Sequence, residues 1–205
     1  MIVKICGITS FEAAVAAEKA GADLIGFVFA PSRRQISVTQ AAVIAQSVPK
    51  VGKVGVFVNS PLADVQEIAE VCKLEFVQLH GEESPDYCRN IGVPVIKAFQ
   101  VGADFAVHKI SSYYVEQILL DTLAAGQVGG TGKAFDWQQG ADLIAQIHQP
   151  VLVAGGLTPD NVGEAIRLMK PQGVDVSGGV ETGGSKDNEK IRQFIQAVRR
   201  SEGVV

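Results

Sequence analysis

Eight short runs rich in Val, Ile, Leu and Phe recur along the 205 residues, and each is followed by a longer stretch of Ala, Glu, Gln and Leu at helical spacing. The runs are Val3 to Cys6, Leu24 to Phe29, Lys53 to Val58, Phe76 to Leu79, Val95 to Phe99, Gln117 to Asp121, Val151 to Ala154 and Gly173 to Ser177. Their near-continuous apolar character asks for cover on both faces, which a parallel sheet wrapped in helices supplies and a hairpin sheet does not. Eight such units in a chain of this length fit a small (β/α)8 barrel, the TIM barrel architecture, as a single domain over residues 1–205. Element order alone does not show closure, so a doubly wound open sheet is the alternative.

The intervening stretches predict helices over Ser10 to Ala20, Thr39 to Gln46, Pro61 to Val71, Ser84 to Asn90, Ala103 to Lys109, Trp137 to His148, Thr158 to Met169 and Asp187 to Arg199. Ser60-Pro61, Ser84-Pro85 and Thr158-Pro159 each set a capping hydroxyl before a proline suited to the first helical position. The longest irregular stretch, Thr122 to Asp136, holds Gly126, Gly129, Gly130 and Gly132 and follows the sixth strand. In a barrel that is a loop on the active face, where long loops serve as lids.

Composition removes several classes of function. A formal net charge of -4 leaves no basic excess for a phosphate backbone, so a nucleic-acid partner is not expected. No apolar run approaches the ~20 residues of a membrane helix, and no basic leader opens the chain, so no membrane partner is expected and the cytoplasm is the expected location. Three cysteines spaced by 66 and 16 residues form neither a disulfide framework nor a zinc pattern and suit a reducing compartment. His108 and His148 fall in helical stretches away from any common site, so no metal is expected.

Chemistry in a barrel sits at the C-terminal ends of its strands. Those ends carry Cys6, Arg33 and Arg34, Asn59, His80, Asp121, Gly155-Gly156 and Ser177-Gly178-Gly179. Two glycine pairs on neighbouring loops, after strands seven and eight, suit a phosphate site built from backbone amides. Cys6 closes a strand where a nearby helix N-terminus and a cation lower a thiol pKa toward a thiolate base or nucleophile. Asp121 ends an otherwise apolar strand as an acid, which places it to flank one ligand with Cys6 across the mouth. Residues two apart share a face, so Lys4 accompanies Cys6, Gln78 accompanies His80, and Asp175 accompanies Ser177. Strands one and eight meet when the barrel closes, which predicts that Lys4 pairs with Asp175. Arg33-Arg34, in the loop after the second strand, offers a guanidinium to hold a second anion, such as a carboxylate.

The stretches Val3-Lys4-Ile5-Cys6-Gly7-Ile8-Thr9, Ser32-Arg33-Arg34-Gln35-Ile36-Ser37, Val77-Gln78-Leu79-His80-Gly81, Gly129-Gly130-Thr131-Gly132-Lys133-Ala134-Phe135-Asp136-Trp137 and Val174-Asp175-Val176-Ser177-Gly178-Gly179-Val180-Glu181 resemble, in order, the phosphoribosylanthranilate isomerase family. The resemblance implies a TIM barrel of tryptophan biosynthesis that performs an Amadori rearrangement on a small phosphorylated substrate, without cofactor, as a monomer or homodimer. It implies Asp121 as general acid and Cys6 as general base. Arg34 would take the anthranilate carboxylate, with Gln78, His80 and Asp175 on the substrate, and Gly155, Gly156, Ser177, Gly178 and Gly179 would cradle the phosphate. One departure is Gly178, where many members carry a second serine. The rival readings are another sugar-phosphate barrel, such as an epimerase or an indole-glycerol-phosphate enzyme, and a barrel that binds a phosphorylated ligand without turnover. The first would place carboxylates or a lysine at the strand ends that hold Cys6 and Asp121.

Overall fold

The computed structural model describes residues 1–102, 105–122 and 137–202. Eight parallel strands close in sequence order: β1 (Ile2–Cys6), β2 (Leu24–Val28), β3 (Gly52–Phe57), β4 (Phe76–Leu79), β5 (Val95–Val101), β6 (Gln117–Thr122), β7 (Val151–Ala154) and β8 (Gly173–Val176). Every expected strand forms within two residues of its expected ends. The pairing of β1 with β8 shuts the sheet, opposing Ile2 to Gly173, Lys4 to Asp175 and Ile5 to Val176. This closed barrel removes the open-sheet alternative.

Helices α1 (Phe11–Ala20), α2 (Val38–Ser47), α3 (Leu62–Val71), α4 (Pro85–Arg89), α5 (Trp137–Ile144), α6 (Val162–Met169) and α7 (Asn188–Glu202) pack outside the sheet. Period-two alternation sorts the strand side chains into two layers. Val3, Ile5, Ile25, Phe27, Val77, Leu79, Ile118 and Leu120 point outward against the apolar helix faces, such as Ala13, Ala14 and Ala17 of α1 and Ile191, Phe194 and Val198 of α7. Leu24, Val54, Ile96, Ala98, Leu119, Leu152 and Ala154 fill the barrel interior. The interior is therefore mostly hydrocarbon, with Lys4, Gln78 and Asp175 toward the C-terminal mouth and Gln117, two residues before Leu119, at the other end.

The capping expectations divide. Ser84 accepts a hydrogen bond from the Tyr87 amide with Pro85 at the start of α4, as expected. Ser60 does not cap α3: Pro61 occupies the capping position without a side-chain bond, and the Ser60 carbonyl instead accepts from the Tyr87 hydroxyl. Thr158 does not cap α6. Asn161 Oδ1 accepts from the Thr158 amide at 2.7 Å, folding Thr158 to Asn161 into a turn and delaying the helix to Val162. A hydroxyl before proline marks a turn as readily as a helix start.

The helix expected over Ala103 to Lys109 is, among the described residues, a single 3-10 turn at Val107–Lys109. Its preceding residue, Ala106, offers no capping oxygen, and Phe105 and Tyr113 are drawn onto Phe99 by edge-to-face ring contacts instead. A two-stranded hairpin, β9 (Glu181–Thr182) and β10 (Ser185–Lys186), was not expected. Gly183 and Gly184 turn it with φ of 60° and 85°, the left-handed pair that this tight turn requires. The long loop after β6, with Gly126 to Gly132, lies outside the described residues.

Candidate active site

The C-terminal strand ends surround a cavity of about 340 Å³. Ten of the eleven side chains or glycines expected at the site line it: Cys6, Arg34, Gln78, His80, Asp121, Gly155, Gly156, Asp175, Ser177 and Gly178. Gly179 does not. Its backbone is pressed on the next loop, where an added Cβ would lie 1.8 Å from the Leu157 carbonyl oxygen, so its glycine serves packing between the loops after β7 and β8. A larger groove of about 710 Å³ lies at the opposite end, lined by Met1, Ile166, Pro171 and the ends of α6 and α7. None of the expected site residues reaches it.

β1 and β6 are separated around the barrel by β7 and β8, so the two glycine-bearing loops stand between Cys6 and Asp121 along the rim. Gly155 and Gly156 have φ of 98° and 61°, consecutive left-handed residues that put backbone rather than side chain toward the cavity. The Ser177 hydroxyl is committed locally: it donates to the Cys6 carbonyl at 3.0 Å and accepts from Lys186 Nζ at 3.3 Å. Ser177 therefore ties the tip of β8 to the tip of β1, which fixes the base of Cys6.

Lys4 and Asp175 meet as expected, Nζ to Oδ1 at 2.8 Å, with Lys4 fully buried. Lys4 Nζ and Cys6 Sγ both border the space at Gly26, 3.3 Å and 2.9 Å from where a Cβ there would stand. The thiol pKa nonetheless runs against expectation: burial pushes it up, Lys4 and Lys186 pull it down, and Asp175 adds to the rise, leaving it above the ordinary thiol range. The cation is present, and desolvation outweighs it.

On the far side of the mouth, His80 Nε2 lies 3.3 Å from Asp121 Oδ2. Gln78 Nε2 is 3.2 Å from His80 Nδ1. An amide donating to Nδ1 leaves the imidazole proton on Nε2, aimed at Asp121. Gln78 lines the cavity, and its Oε1 is buried without a hydrogen-bond partner among the described residues.

Arg34 is held by Glu181 through Nε to Oε1 at 2.6 Å and Nη2 to Oε2 at 3.1 Å. Gly7, at φ 76°, makes room for it: a Cβ there would fall 2.5 Å from Arg34 Cδ. Glu181 also takes Arg33 at 2.9 Å and Lys186 at 2.7 Å. Burial raises the Glu181 pKa, but bonds from Arg34 and Lys186 dominate and hold it near 2. Three cations on one carboxylate leave the rim positive beside the glycine loops, which favours an anionic ligand. Val28, Ala30 and Pro31 with Val56 and Val58 form an apolar wall of the same cavity.

A sequence model of the N-(5'phosphoribosyl)anthranilate (PRA) isomerase family matches residues 3–197. The chain belongs to this family. It is 49% identical over 203 residues to N-(5'-phosphoribosyl)anthranilate isomerase of Desulforudis audaxviator, covering 98% of both chains. The structure of phosphoribosyl anthranilate isomerase from Thermotoga maritima superimposes with a TM-score of 0.85 at 40% identity, covering 98% of this chain and all of that one. A phosphoribosyl anthranilate isomerase solved with reduced 1-(o-carboxyphenylamino)-1-deoxyribulose 5-phosphate gives 0.84 at 38% identity, covering 98% of this chain and 100% of that one.

Sequence reasoning about this isomerase-family barrel missed three features. The His80–Asp121 contact joins residues considered singly. Lys186 and Glu181 gather around Arg34 through the hairpin, which the Gly183-Gly184 pair could have signalled. The apolar wall follows from period two: Gly26 inside implies Val28 inside, and Val54 implies Val56. No helix among the described residues is long and apolar enough to cross a membrane.

Proposed function

We propose that residues 1–205 act in the cytoplasm as one catalytic domain in which Asp121 and Cys6 are the acid and base of the family reaction. The chain is an isomerase that converts N-(5-phosphoribosyl)anthranilate to 1-(2-carboxyphenylamino)-1-deoxyribulose 5-phosphate in tryptophan biosynthesis. The observation that supports the assignment is that Cys6 and Asp121, from β1 and β6, line one cavity whose rim also holds Arg34 and two glycine loops.

In this reading Asp121 protonates the furanose ring oxygen as its bond to C1 breaks, and the nitrogen lone pair forms the C1=N iminium. The Cys6 thiolate then takes the proton from C2, and the released electron pair makes the enolamine. Loss of the enol proton with protonation of C1 gives the ketone. Protons alone move between adjacent carbons, so redox state is unchanged and acid and base suffice.

Arg34, oriented by Glu181, takes the anthranilate carboxylate while the ring lies on the wall of Val28, Pro31 and Val56. Gly155, Gly156 and Gly178 receive the phosphate through backbone, beside Lys186 and the Ser177 corner. Gln78 lines the sugar side of the cavity and orients His80, His80 delivers its Nε2 proton to the Asp121 side, and Asp175 faces the substrate from the Lys4 pair. The test is a fluorescence assay of the purified chain with phosphoribosylanthranilate formed in situ. Decay of anthranilate-type emission in proportion to added protein is expected; an unchanged signal contradicts the reaction.

A further inference from the structure

A base in this pocket faces an electrostatic obstacle. Cys6 is 8% exposed, and a thiolate there forfeits most of its solvation. The charged groups around its sulfur are few. Lys4 lies below it on β1 and Asp175 beside it on β8, Lys186 stands on β10, and Arg34 reaches over from the loop after β2. Lys186 and Arg34 are both bound to Glu181. β2, the other neighbour of β1, carries no charge at that level but Gly26, opposite Cys6 in the register.

Gly26 is informative. A Cβ at this position would lie 2.9 Å from Cys6 Sγ and 3.3 Å from Lys4 Nζ, so both atoms converge on the space that the missing side chain leaves. Lys4 has no exposure at all and gives Asp175 a bond of 2.8 Å. With Asp175 alone the lysine would make a neutral buried pair of purely structural value. Its approach to the same space as the sulfur gives it a second role.

We propose that Lys4 is the positioning residue of the base: its ammonium, shared between Asp175 and Cys6, holds the thiolate charge in a water-poor pocket. The assignment rests on the proton-transfer reading of Cys6 above and adds the group that makes that reading workable. Asp175 then competes with the sulfur for one cation. This competition predicts opposite signs for the two partners, which a merely structural ion pair would not give.

The experiment uses the full chain with Cys72→Ala and Cys88→Ala, leaving Cys6 as the single thiol, and follows iodoacetamide alkylation against pH. Lys4→Met should raise the midpoint by about one unit or more, and Asp175→Asn should lower it. The acid limb of kcat/KM should move with the alkylation midpoint. If Lys4→Met fails to fold, the Lys4→Met/Asp175→Asn pair, which leaves no unpaired buried charge, should still titrate above the parent. An unmoved midpoint in the Lys4 variants, or a rise in Asp175→Asn, overturns the proposal. Alkylation needs no turnover, so an inactive parent protein would overturn the reaction reading, whereas an unmoved midpoint in an active one overturns the role of Lys4 alone.

Discussion

Among the described residues Lys4 and Lys97 are at most 2% exposed, on opposite sides of one sheet, and they do different work. Lys97 leaves β5 on the outer face and is saturated with oxygen: Leu79 O at 3.2 Å, Gly81 O at 2.7 Å and Glu83 Oε2 at 3.0 Å. Glu83 in turn accepts from the Asn59 and Gly81 amides, and its pKa is lowered because those bonds and Lys97 outweigh burial. The cluster clamps the backbone on either side of His80. Lys4 leaves β1 on the inner face, with one carboxylate and a thiol for company and the cavity above them. The outer lysine shapes the site through main chain, and the inner one supplies charge to it. Burial of a cation therefore says little about its role; the number and kind of its partners say more.

Exchanging the two lysines for methionine, one at a time, should separate the roles. Lys97→Met strands the Glu83 carboxylate and should cost about 3 to 5 kcal/mol of stability. In a domain of this size that is a fall of about 10 °C in Tm by calorimetry. Glu83→Gln beside it should restore part of the loss. Lys4→Met should instead cost about 100-fold in kcat/KM, the scale of an impaired general base, with a smaller fall in Tm because Asp175 opens on the cavity and can hydrate. Equal losses of stability in both variants, or of activity in both, would erase the distinction.

A third change sharpens it. Gly26→Ala forces a methyl between Cys6 Sγ and Lys4 Nζ and should reduce kcat about tenfold while the outer cluster and KM are little changed. The smallest effect concerns acid. The folded pKa of Glu181, near 2, lies below its ordinary value of 4.5, so its contribution is complete above the ordinary range and is lost as pH falls toward 2. The Tm difference between the parent and Glu181→Gln should accordingly be present at neutral pH and shrink only at strongly acid pH.

Much of this was readable from the residues because period two is a rigid rule. Once Cys6 faces inward so does Lys4, and closing the barrel sets Lys4 against Asp175; the register opposes them. The same rule set Gln78 with His80. Features that depend on how side chains lean across the mouth were not readable. His80 could have ended free at its strand tip, and nothing local in Arg34 announces Glu181, 147 positions away. The thiol pKa of Cys6 was misjudged for a related reason: sequence displays the cation but not the depth of burial that opposes it. Thr158-Pro159 misled because the Asn161 side chain, three residues on, closes a turn before the helix can start.

The central claim is that Cys6 and Asp121, brought to one cavity by β1 and β6, exchange protons with a single sugar. Its most direct test measures Cys6→Ser and Asp121→Asn side by side for turnover and for affinity toward reduced 1-(o-carboxyphenylamino)-1-deoxyribulose 5-phosphate. Turnover should fall by at least about 10²- to 10⁴-fold in each, while affinity stays within about tenfold, ~1.4 kcal/mol. Either variant turning over at close to the parent rate would contradict the account.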